Sequence, residues 1–258
     1  MTWRTSKKAW IVAAVVGAAM ATLRVAQATE HTDQDLPEQF QRSPYSVMSL
    51  SVGSPAHGWQ LRAKRLRPSA HLYIKPNSRD AVYGHPALVL MLQRTATQMA
   101  REASGAVLVV GDLSSKYGGP LPGHRSHQSG RDADVGFFVT DQKGRPQRLD
   151  HFVKFDAQGE ATDGSGLRFD DYRNWLMVQM WLRDRRAEVR YVFVATHLRR
   201  RLLDFAKARP AFRKYAEQAA TLLLQPRNSS AHSDHFHVRI ACPKNHEGLC
   251  QEHGWVND

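Results

Sequence analysis

Two short segments about a hundred residues apart constrain this chain more than any other feature: "HRSHQSGRDAD" at 124–134 and "HSDHFHVRI" at 232–240. Each crowds imidazoles and carboxylates at the end of a predicted strand, "ADVGFFVT" (133–140) and "HFHVRIA" (235–241). Three side chains stand out as ligands for one ion: His127 on the loop, Asp134 at the start of its strand and His237 on the last strand. Two neutral imidazoles and one carboxylate suit Zn²⁺, and three protein ligands leave a fourth position for water, as in catalytic zinc sites. Gly130 lets the chain turn between His127 and Asp134. In "HFH", strand alternation puts His235 and His237 on one face and Phe236 on the other. One of the two imidazoles can then hold the metal while the other faces the reaction. Thirteen histidines produce some such pairs by chance; the complementarity of the two clusters is what favours a metal site.

The rest of the chain supplies a frame of mixed elements. Apolar residues at helical spacing predict a helix from Pro86 to about Ser104, stopped by Gly105. "AVLVVGD" (106–112) reads as a buried strand, "HLYI" (71–74) as a short one and "YVFVAT" (191–196) as another. "DDYRNWLMVQMWLRDRR" (170–186) has helical spacing, with Asp170 or Asp171 placed to cap it. Two further helices follow around Pro210. Strands and helices that do not alternate regularly point to an α+β domain: a small, mostly antiparallel sheet with flanking helices and a zinc site at the sheet.

The first 28 residues look like a secretory signal. Arg4, Lys7 and Lys8 precede an apolar run from Ala9 to Leu23, and Ala26-Gln27-Ala28 follows as a cleavage site after Ala28. A run of about 15 residues is short of the roughly 20 that cross a bilayer, so membrane contact is expected only if the signal stays uncleaved. Residues 29–52 read as a polar N-terminal arm and 53–258 as the folded domain. Removing Arg4, Lys7, Lys8 and Arg24 takes the formal charge from +12 to +8, which favours anionic partners. An exported chain with no basic run interleaved with aromatics gives no reason to expect nucleic acid. Cys242 and Cys250 are the only cysteines. In an oxidising compartment they read as a disulfide pinning the tail, the alternative being a nucleophilic cysteine.

Four segments resemble the penicillin-insensitive murein endopeptidases, within the wider group of lysostaphin-type and D-Ala-D-Ala metallopeptidases: "YGHPALVLMLQR" (83–94), "VLVVGDLS" (107–114), "GHRSHQSGRDADV" (123–135) and "HSDHFHVRIACP" (232–243). The stretch from about 141 to 190 matches no motif. The resemblance implies that His127, Asp134 and His237 bind zinc and that His235 acts beside the metal. It adds His232 as a further active-site histidine, and His124 as one that touches a second ion or the substrate. The implied reaction is hydrolysis of peptidoglycan cross-links, of the D-alanyl to diaminopimelate type, by water activated on the metal in the periplasm. Related carboxypeptidases carry a glutamate three residues before the last zinc histidine. Asp234 stands there, and strand alternation assigns it to the opposite face from His235, as an outer or surface residue, the alternative being an irregular strand start that brings it in. No serine of the mature chain has lysine three residues on, and no G-x-S-x-G occurs, so a serine route is not expected. A carboxypeptidase, with Arg125, Arg131 or Arg239 receiving a terminal carboxylate, and a non-catalytic wall-binding module are the rival readings.

Overall fold

The computed structural model describes residues 49–252, apart from 79, 227–229 and 247. The expected signal peptide and most of the arm lie outside the described residues.

The centre of the fold is a six-stranded sheet. Its strands are β1 (Leu72–Ile74), β2 (Leu108–Val110), β3 (Asp132–Gly136), β4 (Val189–Phe193), β5 (Leu223–Leu224) and β6 (His235–Ile240). The spatial order is β5-β4-β6-β3-β2-β1. β6 runs antiparallel to both β4 and β3, and β3 antiparallel to β2; only the outer pairs β4 with β5 and β1 with β2 are parallel. The mostly antiparallel sheet agrees with the sequence reading, and the strands that carry the two ionisable clusters are direct neighbours.

Strand alternation divides that pair of neighbours into two faces. Phe236, Val238 and Ile240 of β6 and Ala133 and Val135 of β3 enter one hydrophobic core. His235, His237 and Arg239 lie on the other face, opposite Gly136, Asp134 and Asp132 in register. A one-residue slip would exchange the two faces, so the apolar alternation fixes where the imidazoles stand.

Among the described residues four helices cover the core: α1 (Pro86–Glu102), α2 (Asp171–Arg183), α3 (Thr196–Lys207) and α4 (Pro210–Leu222). α1 begins with proline at its first turn, where the missing N–H costs nothing, and buries Leu88, Met91, Leu92 and Met99. It ends two residues before the predicted Ser104, and Gly105 follows at φ +74°. α2 is capped by Asp170, whose carboxylate accepts from the Arg173 N–H at 3.0 Å, and buries Trp175 and Trp181. Pro210 starts α4 as the sequence implied. Among the described residues no helix is long and apolar enough to cross a membrane.

Two expectations need correction. The predicted strand 133–140 is interrupted: β3 stops at Gly136, and Val139–Thr140 belongs to a separate three-stranded sheet. The cause is Asn174 of α2, which accepts from the Phe138 N–H at 2.9 Å and donates to the Phe138 carbonyl at 2.8 Å, replacing ladder bonds. The expected arm also gives up its last residues to the fold, because Leu50–Gly53 pairs with Gly58–Leu61 as a hairpin. The tail returns to that hairpin: Gly53 N–H donates to the Leu249 carbonyl, Gln251 N–H donates to that of Gly53, and Cys242 and Cys250 form a disulfide.

Candidate metal centre

The six histidine and aspartate residues singled out from the sequence, His124, His127, Asp134, His232, His235 and His237, line one cleft of about 420 Å³. His127 Nε2 lies 3.3 Å from Asp134 Oδ1 and 3.2 Å from His237 Nδ1, and His237 Nδ1 is 3.2 Å from the same Asp134 oxygen. Tetrahedral zinc bonds of about 2.0–2.1 Å separate donor atoms by about 3.3–3.4 Å, so this triangle has the dimensions of one tetrahedral face. Asp134 Oδ1 is buried and makes no hydrogen bond of good geometry. A buried carboxylate oxygen surrounded by imidazole nitrogens is a place for a cation, and the residues present fit a zinc ion.

The surroundings fix which nitrogen each imidazole presents. His127 Nδ1 lies 2.6 Å from the Leu113 carbonyl, so its proton sits there and Nε2 offers its lone pair to the cluster. His237 Nε2 lies 2.8 Å from Asp132 Oδ1, which leaves Nδ1 for the cluster. Asp132 is itself fully buried and accepts from Arg239 Nε at 2.6 Å. Burial alone would raise the Asp132 pKa, but Arg239 and then His237 hold it far below the usual carboxylate range. For Asp134, burial is likewise outweighed, by His127 and His235. The two carboxylates in turn raise His237 against the effect of its own burial. A field that favours protonated imidazoles favours any cation at the same point.

His235 stands beside this triangle. Its Nε2 is 3.4 Å from Asp134 Oδ1 and its Nδ1 is 2.7 Å from Asp234 Oδ1. Burial would lower its pKa, but Asp134 and Asp234 push it up to about 10. Asp234 therefore departs from the orientation read from alternation. β6 begins only at His235, so period two does not govern residue 234, and its carboxylate folds back onto the next imidazole. His232 is buried at the cleft, with its pKa lowered to about 4 by burial and by His237 and His235. His124 offers one nitrogen to a group with His127 and Asp134 whose donor atoms lie within 4.8 Å of one another. Its Nε2 is 2.9 Å from Asp112 Oδ2. Both His127 (φ +68°) and His232 (φ +48°) occupy the left-handed region, a conformation that non-glycine residues hold only when the surroundings impose it.

Three residues of this site escaped the sequence reading. Asp132 was legible, since "DAD" places Asp132 and Asp134 on one strand face. Asp112 carries a weaker signal, a carboxylate closing the apolar run "VLVVGD". Phe152, stacked on His235 with ring centroids 4.9 Å apart, carries no signal of its own.

Known proteins resemble the chain over most of its length. The curated penicillin-insensitive murein endopeptidases of Escherichia coli K12, Escherichia coli O139:H28 and Shigella boydii serotype 18 are each 28% identical to the chain over 216 residues, covering 80% of it and 72% of the relative. The family profile described as penicillin-insensitive murein endopeptidase matches residues 51–257, a span that includes both ionisable clusters and the sheet between them, and the chain belongs to that family.

Proposed function

We propose that this protein is a zinc-dependent murein endopeptidase that hydrolyses D-alanyl to diaminopimelate type cross-links of peptidoglycan in the periplasm, with residues 1–28 removed as a signal, a polar arm that ends before Leu50, and the peptidase domain from the Leu50–Gly53 strand onward. The observation that carries the reading is the triangle of His127 Nε2, Asp134 Oδ1 and His237 Nδ1, with sides of 3.2–3.3 Å. Those three residues would hold the zinc, with His124 beside them. When bound, zinc supplies a Lewis acid and an activated water for amide hydrolysis.

The chain's own groups account for the rest. Asp132 and the Leu113 carbonyl keep the ring protons of His237 and His127 away from the ion. His235, gripped at Nδ1 by Asp234, turns Nε2 towards the reacting centre, where it exchanges a proton or, as imidazolium, stabilises the oxyanion. His232, whose low pKa keeps it neutral near pH 7, offers a hydrogen bond to the substrate without adding charge. Mass analysis of muropeptides digested with and without chelator tests the reading. Cross-linked dimers converted to monomers only in the metal-loaded sample are expected, and intact dimers in both would overturn it.

Arg125 gives specific support to the carboxypeptidase alternative. Of the three arginines near the clusters, Arg131 is buried against the Gln251 carbonyl and Glu252, and Arg239 is buried against Asp132. Arg125 and Arg239 both line the cleft, and of the two Arg125 is the exposed one, as a receptor for a terminal carboxylate would need to be. Parallel digests of cross-linked dimers and linear pentapeptides separate the two reactions.

A further inference from the structure

We propose that Phe152 is a positioning residue for His235, setting the plane of the imidazole that the endopeptidase reading places beside the metal; the inference rests on that reading for its role in turnover. The His235 and Phe152 rings stack with centroids 4.9 Å apart and planes inclined by 22°. A histidine ring needs such a partner, because its outer torsion is broad and weakly confined by intrinsic preference. The Asp234 hydrogen bond at Nδ1 fixes one point of the ring, and the stacked face fixes the tilt about that point.

The sheet is built to admit the second ring. His235 lies opposite Gly136 in the β3–β6 register, and a Cβ at Gly136 would come within 3.2 Å of Phe152 Cε1. A Cβ at Gly111, just beyond β2, would come within 2.6 Å of Phe152 Cζ, a separation that steric repulsion forbids. Phe152 thus occupies the volume that side chains at the end of β3 and just beyond β2 would otherwise fill, next to the imidazole. Its segment is anchored just after the ring: Val153 and Phe155 are buried in the core, and the Phe155 N–H donates to the Ser233 carbonyl at 2.9 Å. Lys75 Nζ lies 5.0 Å from the Phe152 ring centroid, a cation–π contact that adds to its confinement. The clamp is contributed by the stretch from 141 to 190, in which no motif was recognised.

Phe152→Leu keeps bulk and removes the aromatic face, and Phe152→Tyr keeps the face. Three measurements apply to each: zinc per chain, steady-state turnover of cross-linked muropeptide, and the NMR shifts of the His235 ring protons in zinc-free protein. Phe152→Leu is expected to retain wild-type zinc and KM while kcat falls about 10-fold, the lower end of what displaced outer-shell partners cost. Phe152→Tyr is expected to restore kcat to within about 2-fold, since the stacked geometry survives. In the wild type the His235 protons are expected upfield of ordinary values because of the Phe152 ring current, and the Leu variant should move them downfield. Unshifted His235 protons in the wild type overturn the proposal without any variant. A Leu variant with unchanged kcat, or one whose loss lies wholly in KM, overturns it too, as does a Tyr variant as impaired as Leu. The zinc-free spectra do not depend on the reaction: absence of wild-type turnover with the ring-current shift present would reject the endopeptidase reading and with it the role in turnover, whereas wild-type turnover with no shift would reject the clamp alone.

Discussion

His237 is held between two carboxylates, Asp132 at Nε2 and Asp134 at Nδ1, and only the second is placed to share a metal. Substitutions at this scale separate ligands from supports. His127→Ala, Asp134→Ala and His237→Ala are each expected to lower bound zinc after dialysis, because each removes one of three protein donors. Any one that holds zinc like the wild type does not belong to the site. Asp132→Asn is expected to weaken zinc affinity by about 10- to 100-fold without having touched the ion, the usual effect of losing a partner that orients a ligand; a competition titration with a chromophoric chelator measures this. His235→Ala is expected to keep zinc and lose about 10²- to 10⁴-fold in turnover, the scale of one acid–base group. Asp234→Ala should follow it with zinc retained and a loss of about 10-fold, since its carboxylate orients the imidazole from 2.7 Å. An Asp234→Ala enzyme of wild-type rate would return that residue to the surface role read from alternation.

At the level of elements, the start of α1 carries a pH dependence of its own. His85 caps the helix by accepting from the Ala87 N–H at 3.2 Å, and burial, then His246 and Arg131, lower its pKa from 6.5 to about 3. The unfolded chain takes up a proton here below pH 6.5, while the folded chain refuses it until about pH 3. Stability from this group is therefore complete above pH 6.5 and is lost as pH falls towards 3, by up to about 1.4 kcal/mol per pH unit. His85→Asn preserves a capping side chain without the titration. Urea midpoints between pH 7 and pH 4 should fall less steeply in the variant, by about one proton's worth; parallel slopes would show that His85 protonation does not govern the loss. The register of β3 against β6 belongs to the same scale, because alternation of apolar residues delivers Asp132, Asp134, His235 and His237 together to one face.

For the molecule as a whole, the hairpin at 50–61, the loop carrying His124 and His127, and the disulfide-linked tail form one continuous support. Ser51 Oγ donates to the Ser129 carbonyl, Gln128 N–H donates to that of Pro55, and Arg131 donates to the Gln251 carbonyl. This support holds residues 128–131, the bridge from His127 to Asp134, against distant parts of the chain. A chelator is expected to abolish murein hydrolysis and added Zn²⁺ to restore it, while penicillin leaves turnover unchanged, because no serine nucleophile of the required spacing is present in the mature sequence. Full hydrolysis by thoroughly demetallated protein would contradict the zinc requirement.

Much of this was legible in the linear chain, because local chemistry is written in local spacing. The helix starts at Pro86 and Pro210, the cap at Asp170, the disulfide between the only two cysteines and the shared face of His235 and His237 each depend on residues a few positions apart. Even Asp132 follows from alternation once Asp134 is recognised. Contacts across long separations were decided by folding. Asn174 ends β3 by bonding Phe138, 36 residues away, the backbone at Leu113 selects the nitrogen of His127, and Phe152 reaches His235 through a slot left by two glycines, one at the end of β3 and one just beyond β2. No periodicity encodes such pairs, since they exist only after the hydrophobic core has set the sheet order and register. The sequence specified which groups could do the chemistry; packing determined which atom of each group faces it.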